Sequence, residues 1–329
     1  MFFTTLLGYT KLPDKTKQNV TILLCRPRGF CAGVTRAVQT VEKALEKFGS
    51  PLYVRHEIVH NKEVVRQLEE KGAVFVQDLS EVPDGSTIIF SAHGVPLSVK
   101  QEAENTPLLC LDATCPFVEQ IHYQVRHYAA NGYKVILIGH NGHSEVEGTM
   151  GQLPNGEIYL VETEKDVDNL PFTTSDKAAF VTQTTLSVDE TAKIVQHLKK
   201  RFPNIITAKQ DDICYATANR QKAVKEVAPL CDVMLVVGSV NSSNSRRLTE
   251  VAESSGCKKV FLIDTADEID WQALSNTRTI GITAGASAPE RLILEILARF
   301  REAYSLTVKE ITAAEEKTTF RLPSLLEER

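Results

Sequence analysis

No stretch of this 329-residue chain is apolar for the ~20 residues a membrane-spanning helix needs. No Cys-x-x-Cys occurs, which removes the usual zinc-ribbon and thioredoxin-type signatures. No G-x-G-x-x-G run occurs, so the chain carries no dinucleotide or flavin fingerprint of its own. Positive charge is not in excess. Against 37 Lys and Arg stand 42 Asp and Glu, a formal net charge of -5, and no basic patch marks a nucleic-acid surface. The first residues are apolar but lack a basic leader and a small-residue cleavage site, so residues 1–19 read as an arm or first strand, not a secretory signal. The cysteines number seven, an odd count spread along a long chain, which is not a disulfide framework. A reducing cytoplasm is the expected setting, and any anionic ligand needs a local site.

What remains is an ordinary globular composition, 43% hydrophobic and 24% charged, in a chain long enough for two or three domains. Short apolar runs alternate with helical patterns. Strands are expected at 21–24, 52–54, 87–90, 108–111, 134–138, 178–181, 205–208, 233–237 and 279–282. Shorter edge strands are expected at 73–76, 158–161 and 259–263. Helices are expected at 34–48, 116–130, 188–202, 217–228, 245–254 and 289–304. The first shows Val34, Val38, Val41, Leu45 and Phe48 at helical spacing. This alternation predicts α/β units with mainly parallel sheets.

The pattern repeats three times. Each third opens with a strand, a cysteine and a helix: Cys31, Cys115 and Cys214. Two further strand-to-helix turns follow in each third, rich in polar residues. They hold His60 and His93, then His143 with Glu145 and the Thr184–Thr185 pair, then Ser242, Ser243 and Asn244 with Ser287. The expected division is an arm (1–19), three similar α/β domains (20–113, 114–211 and 212–305) and a C-terminal tail (306–329). Ligands of open α/β sheets bind outside the carboxyl ends of the strands. Three such edges facing one centre would gather three thiols under a ring of polar side chains.

Two chemistries suit three thiols. One is zinc, although structural zinc usually closes its fourth position with a nearby Cys or His. The other is an iron–sulfur cluster with one iron left open as a Lewis acid. Cys25, Cys110, Cys231 and Cys257 lie in apolar runs or a turn and read as structural. His60, His93 and His143 stand at equivalent places and form neutral donors for a diphosphate. His56, His122, His127, His140 and His197 read as structural. Glu145 is the candidate proton donor. Arg26, Arg28, Arg220 and Arg246 are candidates for drawing anions in, and Phe30 and Phe117 for shielding the centre.

The segments PRGFCAGV, HEIVHN, SAHGV, DATCP, GHSEVEGTMGQ, QTTLS, DDICYATANRQ, NSSNS and TAGASAP together resemble the 4-hydroxy-3-methylbut-2-enyl diphosphate reductase family. The resemblance spans roughly residues 25 to 290. It implies a pseudo-threefold trefoil around one [4Fe–4S] cluster held by Cys31, Cys115 and Cys214. It implies reductive removal of an allylic hydroxyl as the last step of the non-mevalonate isoprenoid pathway, giving isopentenyl and dimethylallyl diphosphate. It places His60, His93, His143, Ser242, Ser243, Asn244 and Ser287 around substrate, Thr184 near the hydroxyl, and Glu145 as proton source. Electrons would come from an external donor such as ferredoxin or flavodoxin. The expected state is monomer or homodimer, with no nucleic-acid or membrane partner. Ser144 departs from the family pattern, which often has proline there. Two other functions share the cysteine pattern: a cluster-dependent hydro-lyase, which needs no reductant, and an iron–sulfur sensor, which needs a partner surface.

Overall fold

The computed structural model describes residues 17–207 and 213–327. The expected arm therefore lies outside the described residues except for its last three. The first elements are β1 (Asn19–Arg26), α1 (Ala32–Phe48), β2 (Leu52–Arg55), α2 (Lys62–Glu70), β3 (Ala73–Val76), β4 (Thr87–Phe90), α3 (Leu97–Glu104) and β5 (Leu109–Asp112). Next come α4 (Pro116–Ala130), β6 (Lys134–Ile138), α5 (Ser144–Met150), β7 (Ile158–Val161), α6 (Glu164–Asp168), β8 (Ala178–Thr182) and α7 (Val188–Arg201). The last are α8 (Tyr215–Val227), β9 (Val233–Val237), α9 (Ser243–Ser254), β10 (Val260–Ile263), β11 (Thr279–Ala284), α10 (Glu290–Ala303) and β12 (Ser305–Thr312).

All strand pairs are parallel, in three sheets ordered β3-β2-β4-β5, β7-β6-β8 and β10-β9-β11-β1-β12. Parallel strands are covered on both faces, which is why they read as continuous apolar runs. In β1, Val20, Ile22 and Leu24 enter one core with Leu292, Ile296 and Phe300 of α10. Leu23 and Cys25 enter the opposite core with Val224 of α8 and Leu248 of α9. The first sheet packs α1 and α2 on one side through Val41, Ala44, Val64 and Leu68. The second packs α4 through Ile121 and Val125, and α7 through Ile194 and Leu198.

The strand ahead of each cysteine does not belong where the threefold repeat puts it. β1, expected in the first unit, pairs with β11 and β12 of the last sheet. β5, which leads to Cys115, pairs with β4 of the first sheet. The stretch leading to Cys214 touches the second sheet, where Ile206 bridges Ala179 in parallel. Its expected end at 208 falls outside the described residues. Each sheet thus borrows the strand that leads into the next unit, and the N-terminal strand completes the last sheet. The exchange makes the order equivalent in all three. The expected boundaries after 113 and 211 leave β5 and Ile206 with the preceding sheets, whereas β1 joins the last sheet, because hydrophobic periodicity does not say which sheet a strand joins. The tail expected over 306–329 differs too: its first part is β12, and Leu326 is buried in the first core.

Ile22→Ala is expected to cost about 2–5 kcal/mol in denaturant unfolding, the range for truncating a fully buried aliphatic side chain. A cost near zero would show that β1 is not integral to the last sheet.

Candidate functional site

Cys31 precedes α1, Cys115 precedes α4 and Cys214 precedes α8, each as the N-cap residue. A helix N-terminus presents free N–H groups and a positive dipole end, which favours a thiolate. The N–H groups of Phe117 and Val118 favour the Cys115 thiolate, and those of Ala216 and Thr217 the Cys214 thiolate. Burial nonetheless wins. It raises Cys115 to about 12 and Cys214 to about 11, with Cys31 nearby adding to both. A bound cation would reverse this, since a metal-coordinated thiol is deprotonated.

The three cysteines line one central cavity with His60, His93, His143, Glu145, Thr184, Ser242, Ser243, Asn244 and Ser287. Every residue expected to hold metal, bind substrate or donate a proton therefore lines the same cavity. Gly33 lies among them, and a Cβ there would come within 2.6 Å of the Cys115 sulfur and 3.9 Å of the Cys31 sulfur. Glycine is what allows α1 to start so close to two thiols. Among the described residues no group of three or more His, Cys, Asp or Glu side chains could hold one metal ion. Three thiols on the wall of one cavity, with a glycine leaving room beside two of them, are a soft donor set of the kind an iron–sulfur cluster takes.

The three imidazoles pack on one another. His60 stacks on His93 with ring centroids 4.0 Å apart, and His143 stands edge-on to both at 5.4 and 6.1 Å. Burial, then the neighbouring His60, holds His143 down at about 3 and His93 well below the ordinary range. Both rings are neutral at physiological pH. His143 Nδ1 accepts the Glu145 backbone N–H at 3.1 Å, so its proton is on Nε2. His60 Nδ1 lies 3.2 Å from Glu57, and its Nε2 lies 3.2 Å from the Ser144 hydroxyl. Ser144 begins α5, and its hydroxyl meets His60.

Glu145 is buried, and its carboxyl accepts the Thr184 backbone N–H at 2.6 Å and the Thr184 hydroxyl at 2.7 Å. Burial outweighs these two bonds and lifts its pKa from 4.5 to about 7. A group poised there can hold or release a proton at neutral pH. On the opposite wall Ser242 caps α9, and both side-chain atoms of Asn244's amide are buried without a partner. A helix N-terminus with an unpaired amide donor is an anion site.

The other residues divide. Phe117 lines the cavity, whereas Phe30 packs on the first sheet's core. Cys25, Cys110, Cys231 and Cys257 lie outside the cavity. Arg26 and Arg28 are paired with Glu310, and Arg28 also with Glu290. Arg220, expected to draw anions, is instead fully buried and bonded to backbone carbonyls and Glu316. Arg246 is exposed, and its charge reaches His143. Of the histidines read as structural, His140 and His197 pair with Glu162 and with Asp168, while His122 is buried. Val34 and Thr217 also line the cavity and were not anticipated. The available signal was their position three residues after a helix-capping cysteine, on the face that points the same way.

The family model described as LytB protein matches residues 22–301. The chain is 55% identical over 313 residues to a 4-hydroxy-3-methylbut-2-enyl diphosphate reductase of Roseobacter denitrificans, covering 95% of this chain and 99% of that protein. It is 54% identical to a protein of the same name from Beijerinckia indica, over 95% of this chain and 98% of that one. Among solved structures it resembles the E-1-hydroxy-2-methyl-but-2-enyl-4-diphosphate reductase of Plasmodium falciparum with a TM-score of 0.88 at 40% identity, covering 94% and 96% of the two chains. A second, titled (E)-4-hydroxy-3-methyl-but-2-enyl diphosphate reductase, matches with a TM-score of 0.63 at 32% identity, covering 86% of this chain and 99% of that one.

Glu145 makes a stability prediction. A carboxyl whose folded pKa is raised binds its proton more tightly when folded, so stability falls as pH rises from 4.5 to about 7 and then levels off. The loss is about 3 kcal/mol. Glu145→Gln is expected to flatten that part of the stability curve, measured by denaturant titration at a series of pH values. An unchanged slope would show that Glu145 titrates normally.

Proposed function

The chain belongs to the LytB protein family, and we propose on that premise that it reduces (E)-4-hydroxy-3-methylbut-2-enyl diphosphate to isopentenyl and dimethylallyl diphosphate. This is the last step of the non-mevalonate isoprenoid pathway. The observation that carries the reading is one cavity lined together by three helix-capping thiols, by His, Ser and Asn side chains, and by a buried carboxyl that accepts the Thr184 hydroxyl.

Cys31, Cys115 and Cys214 would hold one [4Fe–4S] cluster, a soft donor set one short of the usual four thiolates. Bound there, that group supplies an open Lewis-acidic iron for the substrate hydroxyl and a path for two electrons. The electrons come from an external low-potential donor such as a ferredoxin or flavodoxin. Overall the allylic C–O bond breaks, a C–H bond forms, and two electrons and two protons are consumed as water leaves.

The side chains do the rest. His143 offers an Nε2–H, the His93 ring beside it is neutral, and His60 stacks on His93 at the same wall of side chains. Ser242, Ser243, Asn244 and Ser287 take the diphosphate at the α9 N-terminus. Glu145 holds the proton that leaves with the hydroxyl, and Thr184 orients that carboxyl through its N–H and hydroxyl. The apolar walls from Val34, Val59 and Phe117 keep bulk water from the reacting carbon. Among the described residues no helix is long and apolar enough to cross a membrane.

Purified without oxygen, the protein is expected to show an iron–sulfur chromophore and to turn substrate over only with a low-potential reductant. Cys115→Ser should lose the chromophore. Glu145→Gln should keep it and lose roughly 10²- to 10⁴-fold in turnover, the usual contribution of a positioned proton donor. Near-normal rates would remove Glu145 from the chemistry. Turnover without reductant would make the enzyme a hydro-lyase, and a colourless wild-type protein would sink the iron–sulfur reading.

A further inference from the structure

Two arginines tie the cysteine-bearing loops to one another. Arg220 lies in α8, the helix that Cys214 caps, and is fully buried. Its Nε and Nη2 donate to the carbonyl of Gly29 at 3.0 and 2.7 Å, and Nη2 also reaches that of Phe30 at 3.4 Å. These peptides lead directly into Cys31. Arg36 lies in α1, the helix that Cys31 caps. Its Nη1 donates to the Thr114 carbonyl at 3.0 Å and its Nη2 to the Asp112 carbonyl at 3.2 Å, just ahead of Cys115. Each arginine therefore grows from the helix behind one cysteine and grips the chain in front of another.

The loop at Cys31 is held from the other side as well. The Gly29 and Cys31 N–H groups donate to the carbonyls of Ala284 and Ala286, beside β11. Gly29 has a φ of +65°, and a Cβ there would sit 3.0 Å from the Ala288 carbonyl. Its carbonyl is thus aimed at Arg220 by a backbone shape that favours glycine.

The segment after β12 fastens both arginines. The Glu316 carboxylate takes Arg220 at 3.0 Å and Asn219 at 3.2 Å. The Arg321 carbonyl accepts the Arg36 Nε–H at 2.7 Å. The Phe320 ring lies 5.8 Å from that of Phe117, two residues past Cys115.

We infer that Arg36 and Arg220 are positioning residues for the Cys31, Cys115 and Cys214 tripod, locked in place by Glu316 and the C-terminal segment. The inference rests on the proposed iron–sulfur reading and adds to it the parts that fix the spacing of the thiols. A planar guanidinium can hold several carbonyls in fixed directions at once, which a lysine ammonium cannot. A site built on loops keeps its geometry only when its supporting contacts are locked.

The test uses full-length protein loaded with its cluster under anaerobic conditions. Wild type is compared with Glu316→Ala and Arg36→Lys, chosen because Arg220 itself is too deeply buried for replacement to be informative alone. Bleaching of the chromophore is followed after addition of excess iron chelator, with the far-ultraviolet helix signal recorded in parallel. Thermal unfolding of the iron-free variants is measured separately. We expect release to be about 10- to 100-fold faster in both variants, the scale of outer-contact effects on metal binding. The helix signal should persist, and the iron-free unfolding midpoint should stay within a few degrees of wild type. Release at the wild-type rate, or faster release that merely keeps pace with loss of the helix signal, would overturn the inference. A wild-type protein that never acquires the chromophore overturns the parent reading instead, and this one with it.

Discussion

Everything at the centre of this protein hangs on the passage from a parallel strand in one sheet to a helix packed on the next. A cysteine sits at each of the three passages: after β1, after β5 and after the bridge at Ile206. At Cys31 and Cys115 the strand is fixed by its ladder and the helix by its core, so the residue between them has little freedom. Because each passage crosses from one unit to its neighbour, the cysteines lie where the units meet. The N-terminal strand, by joining the last sheet, closes the ring.

The same interlocking continues around the cavity. The Ser287 hydroxyl donates to the His60 carbonyl at 2.9 Å, the Ser144 hydroxyl meets His60 Nε2, and the Thr185 hydroxyl donates to Ser243 at 3.1 Å. The Cys214 N–H reaches the Thr184 carbonyl at 3.2 Å. Polar groups from all three sheets satisfy one another there, as buried polar groups must. The exceptions are informative: the Asn244 amide has no partner and faces the space a ligand would fill.

Burial sets the electrostatics of that space. It keeps His93 and His143 neutral, holds the Cys115 and Cys214 thiols protonated, and brings Glu145 close to neutrality. Burial therefore suppresses charge on these five groups in the unloaded cavity. An anionic diphosphate at Ser242 and Asn244 would find preorganised donors, with little reorganisation left to do.

The sequence by itself determined the α/β class, nearly every strand and long helix, and the set of residues proposed for the site. The apolar runs and the helical spacing are local, and the threefold recurrence of Cys31, Cys115 and Cys214 is visible without coordinates. The rule for strand ends pointed to their convergence with His60, His93, His143 and Glu145, and all of these residues line one cavity. Only the tertiary structure decided which sheet each cysteine-bearing strand joins, because β1 is as apolar in either place and its partners are hundreds of residues away. Only the tertiary structure turned Arg220 from a solvent-facing cation into a buried clamp and bound Glu316 and Phe320 to the cysteine loops. Those contacts pair residues roughly a hundred to two hundred positions apart, and no local pattern of charge or hydrophobicity records such a pairing.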